Sequence, residues 1–192
     1  MSRLISALIC SLSLAAASLS AQTEIRRAGA HEHSVGTGQL AVESGRVDLM
    51  LQIPGANLVG FEHPPRDAAQ RDRLERARVR LAEGGWLLLP ERARCRTTLK
   101  VDLLGFESGI DDESHGHDHA HGHDHGNGEE HAHAEFQVTA SAECERPGAL
   151  EWIELRLFDG WPDNRSLRVD AISENAQWRS VLSAEQPRIE LQ

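Results

Sequence analysis

Hydrophobic and polar residues alternate along much of the chain, which is the pattern of strands that are buried on one face. The alternation is clearest over residues 37–51, where Ser44-Gly45 interrupts it, and it predicts two short antiparallel strands joined by a turn. The sequence Ile-Pro-Gly-Ala-Asn at residues 53–57 then ends this hairpin. The same pattern predicts further strands over residues 86–89, 97–104, 136–142, 152–158, 167–171 and 188–191.

A single long helix is predicted over residues 64–83, because two prolines open this stretch and two glycines follow it. Leu74, Ala77 and Leu81 lie on one side of the helix and form a narrow apolar stripe. The opposite side is rich in arginine and glutamate at the spacing of helical ion pairs. We therefore expect a solvated outer face rather than a nucleic-acid patch.

The first 21 residues have the composition of a secretory signal peptide. Arg3 supplies a positive start, residues 4–14 are apolar, and residues 15–21 are small. We expect cleavage after this segment, which leaves residues 22–192 as the exported chain. No apolar run reaches the roughly 18 residues that span a bilayer, so no membrane span is expected in the mature chain.

Two cysteines remain after that cleavage, Cys95 and Cys144, and in an oxidising compartment one disulfide is their simplest arrangement. If they face each other across antiparallel strands, apolar positions meet apolar ones and polar positions meet polar ones. The pairs on the apolar face are then Leu99 with Ala140, Val101 with Val138, and Leu103 with Phe136. A zinc site with thiolate ligands is the alternative for the two cysteines.

These elements predict an α+β fold, mostly antiparallel sheet and sandwich-like, with one main helix and a long mobile hairpin loop. One domain is expected over residues 22–192, and its loop occupies residues 107–134. A connection of that length inside a small domain is typical of a functional or disordered segment. The four tryptophans lie in or beside alternating apolar stretches, so we expect core packing rather than a carbohydrate platform.

The loop contains eight of the chain's eleven histidines, with Gly, Asp and Ala between them and no apolar face. Such a segment cannot bury itself, and we expect it to be disordered. Imidazole binds zinc, nickel and copper, and the neighbouring carboxylates can add oxygen ligands. Overlapping His-x-His pairs predict several exchangeable metal sites at His115, His117, His119, His121, His123, His125, His131 and His133. A polar linker that binds no metal is the alternative.

A second group of histidines lies near the predicted hairpin. His31 and His33 precede its first strand, and in an extended chain such side chains point to one side about 7 Å apart. They could converge on one metal ion, and His63 could supply a third nitrogen. The alternatives are a solvated terminus for His31 and His33, and a local hydrogen-bonding role for His63.

The run Ile-Pro-Gly-Ala-Asn-Leu-Val-Gly-Phe-Glu-His at residues 53–63, after His31-x-His33, resembles the ZrgA-like periplasmic zinc-binding proteins. The resemblance continues through the cysteine pair, the histidine loop and Leu-Phe-Asp-Gly-Trp-Pro at residues 157–162, and covers essentially the whole mature chain. It implies a periplasmic protein that captures and buffers Zn(II) beside a zinc importer, whose components are the implied partners. The implied ligands are His31, His33, His63 and the loop histidines. Ser34 stands where the family often has glycine, and we expect little effect from that departure.

Other function classes fit the sequence less well. A net charge of −10 disfavours a phosphate backbone as partner and favours a soluble monomer that attracts cations. The chain contains no His-Glu-x-x-His motif, no glycine-rich phosphate loop and no nucleophile elbow, so we expect no enzyme. Two alternatives stay open: handling or detoxification of nickel or another divalent metal, and a periplasmic interaction module that binds no metal.

Overall fold

The computed structural model describes residues 34–107 and 133–191. Within these ranges most strand pairs are antiparallel, and one long helix accompanies two sheets, which confirms the α+β class. The predicted domain limits and the histidine loop extend beyond the described residues and stay predictions. No helix in the described part of the chain is long and apolar enough to cross a membrane.

The predicted first hairpin is confirmed. Strand β1 (Val35–Glu43) pairs antiparallel with β2 (Arg46–Pro54) over seven residue pairs from Thr37↔Gln52 to Glu43↔Arg46. Ser44 and Gly45 form the turn with φ angles of 48° and 85°. Two consecutive positive φ values are the geometry of the tight turn that matches the twist of the flanking strands. Leu40, Leu49 and Leu51 on the inner face are fully buried, as the alternation requires.

The predicted strand pair around the cysteines is also confirmed. β4 (Cys95–Leu104) and β5 (Glu135–Cys144) are antiparallel, and Cys95 lies opposite Cys144 in a disulfide. The expected pairs of the apolar face all occur: Leu99↔Ala140, Val101↔Val138 and Leu103↔Phe136. The disulfide replaces the alternative of a thiolate zinc site.

The larger sheet has the order β4-β5-β2-β1-β7-β8 in the described residues. β7 (Ser166–Ser173) lies parallel to β1, and β8 (Gln177–Leu182) pairs antiparallel with β7. Strand β8 was not predicted. Its burial alternates, but the polar Ser180 lies on the inner face between Trp178 and Leu182, and the apolar Val181 is 58% exposed on the outer face, so the sequence lacks the matching alternation of apolar and polar residues.

The smaller sheet corrects one predicted strand. β3 (Leu87–Leu88), β6 (Trp152–Leu155) and β9 (Arg188–Glu190) form it in the order β3-β6-β9. The strand expected over residues 152–158 stops at Leu155, and a short helix α3 (Leu157–Gly160) follows. Ile153, Leu155 and Leu157 are all buried, so the alternation of apolar residues continues past the end of the strand and does not mark it.

The helices differ from the prediction in their limits. The long helix α2 (Ala68–Glu83) begins several residues after the two prolines, because Asp67 caps it by accepting the Gln70 N–H at 2.7 Å. Its buried side chains are Leu74, Ala77 and Leu81, as predicted. A further short helix, α1 (Gly55–Val59), occupies the stretch that was expected only to end the first hairpin.

Tryptophan packing agrees with the core interpretation for three of the four side chains. Trp86 and Trp161 are buried, and Trp178 packs against the core while partly exposed. Trp152 is half-buried, and the Arg188 guanidinium lies 4.2 Å from its ring centre.

Candidate metal centre

Residues 54–63, which we call the anchor segment, connect the end of β2 to the region before α2. α1 ends at Val59, and the φ of 82° at Gly60, the next residue, turns the chain toward Phe61. A side chain at Gly55 could not be accommodated, because its Cβ would overlap the backbone oxygens of Phe61 and Ala134. The anchor segment is therefore tightly folded on itself and against the chain at Ala134.

Both ends of the connection between β4 and β5 pack against the anchor segment. The Gly55 N–H donates to the Ala134 carbonyl at 2.8 Å, and Ala134 is fully buried. Phe106, near the start of the connection, is buried with its ring edge-on to Phe61, at a centroid distance of 5.9 Å. Phe106 in turn contacts Phe136 of β5 at 5.3 Å. The histidine loop therefore leaves and rejoins the domain beside the anchor segment.

His63 lies at the end of the anchor segment with a defined ring orientation. Its Nδ1 is 2.8 Å from the carbonyl oxygen of Pro64, and its ring stacks on Phe61 with centroids 5.2 Å apart. A carbonyl only accepts, so Nδ1 bears the proton and the neutral ring has its lone pair on Nε2. Metal-binding histidines usually have this arrangement, with the second nitrogen donating to a backbone carbonyl or a carboxylate.

His133 has the same arrangement through a side chain. Its Nδ1 is 2.9 Å from a carboxylate oxygen of Glu62, the residue next to His63. The Glu62 side chain is 14% exposed and that of His133 is 55% exposed, so the carboxylate is partly shielded while the ring reaches solvent. A carboxylate that accepts from Nδ1 orients the imidazole so that a metal can be bound through Nε2.

The anchor segment also holds the chain that follows His31-x-His33. Asn57 of α1 is buried, and its Oδ1 accepts the Ser34 N–H at 3.1 Å. The Asn57 amide donates to Oδ1 of the fully buried Asn164 at 3.0 Å. The Ser34 carbonyl accepts two N–H bonds, from Arg165 at 2.8 Å and from Ser166 at 3.1 Å. Ser34 is thus bonded through both its N–H and its carbonyl, one residue after His33.

Ser34 has a φ of 70°, in the left-handed region where glycine is favoured. Serine in place of glycine was expected to have little effect, and this stays a prediction. The positive φ means that the serine side chain adds an energetic cost that glycine would avoid.

The predicted ligands are only partly described. His63 and His133 lie within the described ranges, and the anchor segment contacts or includes both. The others lie outside the described residues: His31, His33, His115, His117, His119, His121, His123, His125 and His131. Among residues 34–107 and 133–191 no group of three His, Cys, Asp or Glu side chains is arranged to hold a metal ion.

Two residues that contribute to the site were not predicted from the sequence. Glu62 and Asn57 both belong to the run that carried the family resemblance, but neither was assigned a role. Glu62 could have been noticed as a carboxylate beside a candidate histidine, a pairing typical of metal sites. Asn57 gave no such indication, because its partners, Ser34 and Asn164, lie 23 and 107 residues away.

A family profile described as "ZrgA family zinc uptake protein" matches residues 30–191, which is most of the chain. The chain therefore belongs to the ZrgA family of zinc uptake proteins. The match includes the anchor segment, both cysteines and every candidate histidine from His31 to His133. No curated protein matches the chain.

Proposed function

We propose, on the premise of this family membership, that the protein is a periplasmic zinc-binding protein. It captures and buffers Zn(II) and supplies the metal to a zinc-uptake system whose components are its partners. It acts by binding and releasing the ion and catalyses no reaction. The ion is cargo, so the sites need affinity and exchange rather than a fixed open coordination position.

The observation that supports this proposal most is the pair of histidines at the anchor segment. His63 and His133 each have Nδ1 bonded to an oxygen acceptor, at 2.8 and 2.9 Å. Each ring is thereby oriented to offer Nε2 to a metal.

Two described histidines do not complete the four-coordinate site that zinc prefers. We assign the remaining ligands of a tight site to His31 and His33, since the chain immediately after them is bonded to Asn57. The loop histidines then form weaker, exchangeable sites that raise the capacity for capture. Two classes of site with different affinities follow from this division.

The proposal is tested by measuring zinc binding to residues 22–192 in competition with a chelator of known affinity. The full mature chain is compared with a variant that lacks residues 114–125, which contain six histidines. A matched control keeps these residues but replaces the six histidines with glutamine, so that loop length is unchanged. We expect both variants to lose the weak sites and to keep one tight site.

Other outcomes would contradict parts of the proposal. Loss of all binding in both variants would mean that the loop alone binds metal and that the anchor segment has no such role. Unchanged stoichiometry would favour an interaction module that binds no metal at the loop. Tighter binding of Ni(II) than of Zn(II) in the same competition would favour nickel handling.

A further inference from the structure

A groove lies between α2 and the turn after α3, on the side of the anchor segment formed by Leu58 and Val59. Its volume is about 640 Å³. Its floor and walls include apolar side chains, among them Trp161 and the 42% exposed Val79. Arg73, Arg76 and Arg80 line the groove from α2. We call it the arginine groove.

The three arginines share one face of α2, because they are separated by three and four residues. In the described part of the chain none of them forms an ion pair. Most other described arginines do, as the following residues each have a carboxylate partner: Arg46, Arg78, Arg92, Arg94, Arg96, Arg156, Arg179 and Arg188. The arginine groove is thus a place where positive charge is left uncompensated in a chain of net charge −10.

Two of these guanidinium groups are held in position by aromatic rings rather than by carboxylates. Arg80 lies 5.0 Å from the centre of the Trp161 ring and donates to the Gly160 carbonyl at 3.3 Å. Arg73 lies 5.7 Å from the centre of the Phe61 ring. Such contacts orient a cation while leaving its N–H donors available. Oriented donors lose less conformational entropy when they bind a carboxylate.

Two carboxylates also line the groove, Glu75 and Glu83. Glu75 is neutralised by Arg78, which donates to it at 2.6 and 2.8 Å from outside the groove lining. Glu83 is then the one carboxylate in the groove lining that could offset the charges of Arg73, Arg76 and Arg80, so the groove keeps a net positive charge. This net positive charge attracts a short segment that bears carboxylates. A long polyphosphate would extend beyond the groove and be repelled by the acidic remainder of the chain.

We infer that the arginine groove is the docking site for an acidic segment of a partner protein, with carboxylates on the arginines and an apolar side chain beside Val79 and Trp161. Arg73 contacts the same Phe61 ring on which His63 stacks, at 5.7 and 5.2 Å. The Phe61 ring thus connects Arg73 of the groove with His63. The docking itself needs no metal, and its failure is separate from any failure of zinc binding.

The test uses the mature chain in the presence of EDTA and two synthetic peptides. One peptide has glutamates flanking a central leucine pair, and the other has glutamine in place of each glutamate. We expect the acidic peptide to shift backbone amide resonances of α2 and of residues 58–59 and 160–161, and to bind more weakly as ionic strength rises. The glutamine peptide should bind much more weakly.

Substitutions locate the contact. Arg76→Glu should lower the affinity for the acidic peptide about fivefold, because it replaces an attractive exposed charge with a repulsive one. Arg71→Glu is the matched control: it changes the same charge on the same helix outside the groove, and should lower the affinity less than about twofold. Arg76→Gln, a milder change, should give an intermediate loss.

Several results would overturn the inference. They are absence of binding by the acidic peptide, an equal effect of Arg71→Glu and Arg76→Glu, or equal binding of the two peptides. Tighter binding of a single-stranded oligothymidylate at the same arginines would assign the surface to nucleic acid instead.

Discussion

Asn57 is the residue whose replacement most directly tests how the anchor segment is built. Its side chain is 4% exposed and makes two hydrogen bonds, one with the Ser34 N–H and one with the fully buried Asn164. The Nδ2 of Asn164 has no hydrogen-bond partner among the described residues, so Oδ1 makes its one side-chain bond there. Asn57→Ala therefore leaves the whole Asn164 side-chain amide unpaired in the protein interior.

The expected loss of stability follows from these contacts. A buried polar group left without its partner costs about 1–3 kcal/mol, and the Asn164 oxygen is such a group in the variant. The Ser34 N–H is only partly buried and can find water, so it adds about 1 kcal/mol. We expect Asn57→Ala to lower the free energy of unfolding by about 3 kcal/mol, a large part of a small domain's stability.

Urea unfolding followed by tryptophan fluorescence measures this change. Asn175→Ala is the matched control, since Asn175 is exposed, and it should change the free energy of unfolding by less than about 0.5 kcal/mol. Adding Asn164→Ala to Asn57→Ala should cost little more, because the orphaned amide is then gone. A loss below about 0.5 kcal/mol for Asn57→Ala, as for an exposed site, would refute the buried hydrogen-bond pair.

Three further predictions concern other parts of the fold. Ser34→Gly should raise the free energy of unfolding by about 0.5–1 kcal/mol, because the backbone there is left-handed, and a decrease in the same urea assay would contradict that conformation. Replacing Cys95 and Cys144 together with serine should lower it by about 4 kcal/mol from the lost loop constraint, whereas a loss below about 1 kcal/mol would argue against the entropic account. Hydrogen bonds from Arg188 and Arg156 hold the pKa of Glu154 below its ordinary value of 4.5, so the stability that this carboxylate provides is present above about pH 4.5 and is lost as the pH falls through the lowered folded-state pKa. Stability measured across that acidic range should therefore fall less steeply in Glu154→Gln than in the wild type, and parallel curves would refute the assignment.

Local patterns made part of the fold predictable. The first hairpin followed from alternation and a turn dipeptide, both of which are properties of adjacent residues. The register of β4 and β5 followed from one covalent constraint, because a link between Cys95 and Cys144 determines every other pair across the two strands. The buried stripe of α2 followed from helical spacing.

The parts that were missed depend on contacts between distant residues. The parallel pairing of β1 with β7 joins segments about 130 residues apart, as in Val35↔Ser166, and no turn dipeptide marks it. In the candidate site, His63 and His133 were predicted from residue type, spacing along the chain and the family resemblance. Their partners Pro64 and Glu62 define the ring orientation, and for His133 that partner becomes apparent only when the chain has folded.

The central claim is that the anchor segment presents His63 and His133 to zinc through Nε2. Proton–nitrogen correlation spectra of the histidine rings test it, recorded on the variant that lacks residues 114–125 before and after one equivalent of Zn(II). Before zinc, both rings should have the proton on Nδ1, as their hydrogen bonds to oxygen require. After zinc, the Nε2 resonance of each should move to the position of a metal-bound nitrogen while Nδ1 stays protonated. Rings protonated on Nε2, or Nε2 resonances that do not respond to zinc, would contradict the account.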